Sequence, residues 1–435
     1  MSTIIKCTSD CLLNNLFKSI VARGISPPSS RQLSSKQVME NEKKFHANNY
    51  EPVPIVLSKG QGVDVWDVDG KHYLDFLGGF ASLNQGHCHP RILKALMDQA
   101  SKLHHTSRSH YNDVLWEFSE HITKLTGFDK VLEMNTGVEG GETAVKLARL
   151  WGYKKKKIPA NEAIVLFARG NFWGRTLAAI SSSVDPWMYE NFGPYMPNLN
   201  LVDYNNLEDL EKALQNPNVC AFMVEPIQGE AGVVVPDKGY LEGGRRLCSA
   251  HNVLWIDDEV QTGLGRTGKM FCHQHHDNAR PDVMILGKAL AGGVYPVSAV
   301  VADSDVMDCF TPGTHGSTFG GNPLGCKVAV TAVDVICDEG LVANADKMGH
   351  IFRNELQRSL PKEKVSLVRG MGLLNAIALN TDFCSPWDFC IKLRDNGLVT
   401  RPCKANIIRF APPLIINESQ LNQGLEIIVK TVNDL

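Results

Sequence analysis

The strongest constraint on folding is an alternation between residues 142 and 302, where short apolar runs are separated by amphipathic helical stretches. The runs lie near 163–168, 199–203, 219–224, 253–256, 283–286 and 297–301. Apolar throughout and too short for helices, they predict strands of a mostly parallel sheet covered on both faces. In such α/β sheets ligands bind outside the carboxyl ends of the strands. Chemistry should therefore sit where the runs stop.

Two runs stop abruptly. Val253-Leu254-Trp255-Ile256 ends at Asp257-Asp258-Glu259, and Val283-Met284-Ile285-Leu286 ends at Gly287-Lys288. One strand end thus presents a carboxylate and another a lysine. A buried ammonium needs a partner or a lowered pKa, and a lysine of lowered pKa attacks carbonyls. A carboxylate facing it across an aromatic ring suits the protonated ring nitrogen of pyridoxal phosphate. The plainer alternative is a lysine that caps a strand and reaches solvent, salt-bridged to that carboxylate.

Further motifs narrow the choice. Asn135-Thr136-Gly137-Val138-Glu139-Gly140-Gly141 precedes the helical stretch ETAVKLARLWGY, and backbone N–H groups at a helix start favour phosphate. Gly316-Ser317-Thr318-Phe319-Gly320-Gly321 offers a second set of donors. Phe172-Trp173-Gly174-Arg175 follows the strand-like AIVLFA and brings an aromatic ring and a guanidinium to another strand end. Arg409 lies inside the apolar run Ile407-Ile408-Arg409-Phe410, where a charge is costly unless paired. Arginine binds carboxylates bidentately, so two arginines in one pocket would suit a dicarboxylic keto acid, with Glu230 as an internal partner in its absence. Each could equally be a plain structural salt bridge.

Two rival motifs fail on context. Gly263-Leu264-Gly265-Arg266-Thr267-Gly268 fits G-x-G-x-x-G, but no helical pattern follows it, and Met270 stands where a Walker loop needs Ser or Thr. His87-Cys88-His89 and Cys272-His273-Gln274-His275-His276 lack zinc-site spacing. They read as polar loop histidines, and no metal is expected.

At 435 residues, 43% hydrophobic, 21% charged and net charge −3, the chain has the composition of an ordinary soluble globular protein, not basic enough to suggest nucleic-acid binding. No apolar run approaches the roughly 18 residues of a membrane helix. Twelve cysteines without a C-x-x-C pair fit a reducing compartment. The first 39 residues carry Lys6, Lys18, Arg23, Arg31 and Lys36 against Asp10 alone. This predicts a transit peptide over 1–35 and a mitochondrial matrix location, against the alternative of a disordered cytosolic tail. The remaining chain divides into 36–89 with a β-hairpin turning at Asp69-Gly70, a large cofactor-binding domain over 90–321, and a smaller C-terminal domain over 322–435. Helices are expected from Pro90, near Asn112, from Asn322-Pro323, over 386–396 and from Glu418. Strands are expected over 365–379 and 407–410. Lys154 to Lys157 reads as a solvated helix end.

From about residue 48 to the C-terminus the chain resembles the class III, pyridoxal-phosphate-dependent aminotransferases, through DDEVQTG, LGKALAGG and GSTFGGNPLG. NQGHCHP, MNTGVEGGETAVKLAR, GNFWGRT, AISSSVDP, FMVEPIQGEAGVVVP, GLLNAIA, LRDNGL and IIRFAPP place the likeness in the branch that removes the δ-amino group of ornithine. The resemblance implies a fold-type I transferase, with a large mostly parallel-sheet domain and a smaller α+β domain built from the N-terminal segment and C-terminal lobe. It also implies a homodimer or higher homo-oligomer whose active sites lie at the subunit interface. Lys288 would carry the cofactor and shuttle the proton, Asp258 would pair with its ring nitrogen, and Gln261 would meet its phenolic oxygen. Gly137, Val138, Ser317 and Thr318 would hold the phosphate, Thr318 from the neighbouring subunit, and Phe172 would stack on the ring. Tyr50 and Arg175 would hold the α-amino and α-carboxylate groups of ornithine. Glu230 would mask Arg409 until 2-oxoglutarate binds. Two positions depart from the family pattern. Phe80 stands where tyrosine is usual, and Asp257 where a small residue is usual.

Overall fold

The protein is described by a computed structural model covering residues 33–435, so the basic stretch before residue 33 lies outside the described residues. The described residues form two compact units, one of 33–59 with 66–71 and one of 60–65 with 72–435. In the first, helix Ser35–Phe45 starts from a capping box in which Ser34 and Gln37 satisfy each other's backbone N–H groups. The Asp69-Gly70 turn forms because Gly70 takes φ +87° and Asp67 Oδ1 accepts from the N–H groups of Asp69 and Lys71 at 3.0 and 2.8 Å.

The second unit is built on a seven-stranded sheet: β1 Lys130–Met134, β2 Ile164–Ala168, β3 Leu199–Val202, β4 Val219–Val224, β5 Leu254–Asp258, β6 Val283–Leu286 and β7 Ser298–Ala302. Its order is β1-β7-β6-β5-β4-β2-β3. Pairings among β2 to β6 are parallel, whereas β7 runs antiparallel to both β1 and β6. The expected runs all form strands. The antiparallel direction of β7 and the existence of β1 were not anticipated, since Lys-Val-Leu-Glu-Met has no apolar run and pairs only with a strand some 160 residues later. Every residue of β4 is buried, as a strand inside a sheet covered on both faces requires.

Helix Gly137–Trp151 packs eight buried residues against this sheet, and Tyr240–Ala250 packs five. Helix Pro323–Asp338 begins at Asn322, whose side chain accepts the Gly325 N–H at 2.8 Å, with Pro323 in the first turn. It stops at Gly340, φ +64°, before a further helix Leu341–Ser359. A four-stranded antiparallel sheet follows, ordered Val365–Met371, Leu374–Leu379, Ile407–Phe410, Arg401–Pro402. Helix Glu418–Asp434 closes the chain behind a second capping box, at Asn417 and Gln420.

The glycine-rich 263–268 segment is a clasp. Arg266 is wholly buried and donates to Leu373 O, Pro412 O and Asn84 Oδ1 at 2.9, 2.6 and 2.5 Å, and only a single 3-10 turn, Cys272–His275, follows. The lysine run is not simply solvated, because Lys154 Nζ bonds Cys309 O and Lys156 Nζ bonds Val219 O, both at 2.7 Å. The ten cysteines among the described residues are all free thiols, and no helix among those residues is long and apolar enough to cross a membrane.

Candidate active site

Three adjacent parallel strands end in ionisable groups. Glu225 follows β4, Asp258 closes β5 and Lys288 stands two residues past β6. Register fixes their proximity, because Asp258 lies opposite Ile285, three residues before Lys288. Lys288 opens a short 3-10 turn with φ +46°, a conformation lysine rarely adopts. Its amine makes no hydrogen bond. Burial holds it below the ordinary lysine range; Glu230 opposes that shift, Arg409 adds to it, and Asp258 and Glu225 oppose it.

Asp258 is 6% exposed. One of its oxygens accepts from Val260 N–H at 3.0 Å and the other accepts nothing. Burial pushes its pKa up to about 6, although the Val260 bond and Lys288 favour the charged form. Burial, and then the charge on Asp258, push Glu225 up to about 8. Glu225 accepts from Phe172 N–H at 2.8 Å and Gly229 N–H at 3.3 Å, tying the aromatic turn after β2 to this row.

At the other end, Thr136 caps helix Gly137–Trp151 in a reciprocal bond with Glu139. The N–H groups of Gly137 and Val138 have no acceptor, as the first turn of a helix dictates. A Cβ on Gly137 would stand 2.9 Å from Val260, and one on Gly287 would stand 3.6 Å from Gly137 Cα. The phosphate-seeking helix start, Val260 and the lysine turn therefore converge, and a side chain at Gly137 would crowd that approach. Ser317 joins them, its hydroxyl accepting from Asn135 Nδ2 at 2.9 Å, whereas Thr318 is exposed.

A third cluster lies near Lys288. Arg409, 2% exposed, donates to Glu230 at 2.5 Å and to Gln261 Oε1 at 3.2 Å. Gln261 Nε2 donates to Glu230 at 3.3 Å, so in this state Gln261 serves the ion pair. Gly229 makes room, since a Cβ there would meet Gln261 Oε1 at 1.8 Å. Burial opposes both charges, yet each holds the other ionised: Glu230 lies below and Arg409 above its ordinary value. Arg409 Nε remains buried without a partner. Phe80 places its ring 5.3 Å from that guanidinium, in a left-handed stretch where Gly79, Phe80 and Ala81 all have φ near +60°. Arg175 is exposed and stands over the Phe172 ring at 5.9 Å. Tyr50 is exposed and belongs to the other unit.

Two residues at the site escaped sequence reasoning. Glu225 carried the same signal as Asp258, an acid directly after a wholly apolar run. Val260 carried none. His273, read from the sequence as a polar loop histidine, is buried. Asp257 points away from Asp258 and accepts Trp255 Nε1–H at 2.6 Å.

The side chains present fit pyridoxal phosphate. Helix N–H groups without acceptors would suit a phosphate, the half-satisfied buried carboxylate of Asp258 would suit a ring nitrogen, Phe172 and Val260 would suit an apolar ring, and the unbonded Lys288 amine stands at the strand end. A fold and site of this kind define a cofactor-dependent transferase. Residues 45–432 match the family described as Aminotransferase class-III, and the chain belongs to that family; it is a pyridoxal-phosphate-dependent aminotransferase. Within it, the chain is 60% identical over 398 residues to the mitochondrial ornithine aminotransferase of Drosophila melanogaster, spanning 92% of each. It is 56% identical over 400 residues to that of Rattus norvegicus, spanning 92% of this chain and 91% of the rat protein. It is similar to the structure of ornithine aminotransferase from Toxoplasma gondii with a TM-score of 0.91 and 43% identity, covering 99% and 98% of the two chains, and that active site holds pyridoxal phosphate at partial occupancy.

Proposed function

We propose that the protein transfers the δ-amino group of L-ornithine to 2-oxoglutarate, giving glutamate-5-semialdehyde, which cyclises, and glutamate. The observation that carries this reading is the Arg409–Glu230 pair beside Lys288, with Arg409 Nε unused. Ornithine has one carboxylate and needs one arginine, and 2-oxoglutarate has two and needs both. An exposed Arg175 and an Arg409 masked by Glu230 would serve the two in turn.

Bound pyridoxal phosphate supplies a carbonyl for amine exchange and a ring that accepts the electrons released when a substrate C–H bond breaks. The chain supplies the rest. Gly137 and Val138, with Ser317 and Thr318 of the partner subunit, would hold the phosphate. Asp258 would keep the ring nitrogen protonated, a charge pair that offsets the cost of its own burial. Phe172 and Val260 would give the ring apolar contacts, and Gln261 would meet the phenolic oxygen once it leaves the ion pair. Lys288, its amine favoured in the neutral form by burial, takes the proton from the substrate carbon and returns it. Arg175 would hold the α-carboxylate of ornithine, so that the δ-amine reaches the lysine end. Phe80 lines the Arg409 side.

We further propose a homodimer or larger homo-oligomer, supported by the exposure of Thr318, and a mitochondrial matrix location. The location is supported by the basic composition of residues 1–35 and by the mitochondrial relatives. The decisive test is a panel of amine donors with 2-oxoglutarate as acceptor. Ornithine should exceed 4-aminobutyrate and N-acetylornithine in kcat/KM by at least tenfold; a preference for either of the others would overturn the assignment.

A further inference from the structure

Behind Asp258, on the face of β5 turned away from the cofactor side, lies a second ionisable cluster. Asp257 and Glu259 flank Asp258 and point to the opposite side, as strand alternation demands. Each is 1% exposed. His273, 9% exposed, folds in from the loop after the Arg266 clasp. A ligand atom from each of the three lies within 4.8 Å of the others.

Neighbours fix these side chains without consuming them. Trp255 Nε1 donates to Asp257 Oδ1 at 2.6 Å, and Thr262 Oγ1 donates to Glu259 Oε2 at 2.6 Å. The His273 backbone N–H donates to Glu259 Oε1 at 2.9 Å. Outer contacts of this kind orient metal ligands. His273 Nδ1, by contrast, is buried without a hydrogen bond, 3.4 Å from Glu259 Oε1. Burial, and then the neighbouring Glu259, push the Asp257 carboxyl above its ordinary range, because charge on two enclosed carboxylates is costly in the interior. The nearby cation, Arg245, is already paired with Asp282 at 2.7 Å. A divalent cation would neutralise both carboxylates and give Nδ1 its missing partner. An imidazole nitrogen with two carboxylate oxygens suits zinc and its neighbours rather than magnesium or calcium.

We propose that Asp257, Glu259 and His273 form a buried site for one divalent transition metal of the zinc class, separate from the catalytic centre. Asp257, the departure from the small residue usual in the family, is what completes the ligand set.

The test uses untagged holoenzyme, stripped with a chelator and reloaded with Zn²⁺ or Co²⁺. The expected result is about one zinc per chain retained through gel filtration, visible cobalt bands of a low-coordinate site, and a melting temperature raised by about 3 °C or more. Asp257→Ala, His273→Gln and the milder Asp257→Asn, which keeps an acceptor for Trp255, should each lower retained metal at least tenfold and abolish the cobalt bands. Parent enzyme that retains less than a tenth of an equivalent and gives featureless cobalt spectra would overturn the proposal, pointing to a proton shared between the carboxyls. Equal metal retention in the parent and the folded variants would overturn it as well.

Discussion

Replacing Glu230 with Gln tests the masked-arginine reading directly. In the resting geometry Arg409 Nη1 bonds Glu230 at 2.5 Å and Gln261 at 3.2 Å, while Nε bonds nothing. A second carboxylate on the substrate must therefore displace Glu230 before the guanidinium can receive it. Glutamine keeps the shape and one acceptor but removes the competing charge. A hydrogen bond to a charged group contributes about 1.5–3 kcal/mol, so releasing Arg409 should favour dicarboxylates by roughly tenfold to a hundredfold at 1.4 kcal/mol per decade. Ornithine, with one carboxylate, gains nothing and risks binding with its α-carboxylate at the wrong arginine. Single-turnover spectroscopy of each half-reaction should show glutamate and 2-oxoglutarate efficiency rising, and ornithine efficiency unchanged or lower. Arg409→Ala should do the reverse, damaging the 2-oxoglutarate half-reaction most. If Glu230→Gln shifts the glutamate-to-ornithine ratio by less than threefold, Glu230 does not gate the arginine and the pair is a structural salt bridge.

Other outcomes follow from the same geometry. Lys288→Ala should leave a folded protein with turnover reduced by far more than tenfold; activity within tenfold of the parent would remove Lys288 from its role. Glu225 has a folded pKa near 8, above its unfolded value, so it contributes stability at low pH that is lost as pH rises from about 4.5 through 8. Glu225→Gln apoenzyme should accordingly lose less melting temperature than the parent between pH 5 and pH 8.5, and identical slopes would show that the carboxyl does not titrate there. Phe80→Tyr restores a hydroxyl in a ring 5.3 Å from Arg409 and should raise the ratio of ornithine to 4-aminobutyrate efficiency about threefold to a hundredfold; an unchanged or lower ratio makes Phe80 a packing variant. Residues 1–35 fused to a reporter should direct it to mitochondria, and a cytosolic reporter would refute the transit-peptide reading.

What could be read before any fold was known shares one property: the signal is local. Asn322-Pro323 specifies a helix start, and Asn417 caps the last helix, because a side chain and a fixed φ act on neighbours three residues away. The wholly apolar runs at 219–224 and 283–286 read as strands because they are too short for helices and alternate with helical stretches. Asp258 and Lys288 stood out for the same reason, as charges at the point where such runs stop. Contacts across the chain left no such mark. Lys130–Met134 becomes a strand only by pairing with Ser298–Ala302, and the antiparallel course of that partner is set by packing that no window of sequence contains. Val260 is defined by Gly137 and Gly287, Glu225 by Phe172, and Phe80 by Arg409, each pair separated by 27 to 329 positions in the sequence. The inward turn of His273 toward Asp257 and Glu259 belongs with these. A histidine in a polar stretch looks solvated until the sheet places two carboxylates behind it, because burial and charge proximity are properties of the folded chain.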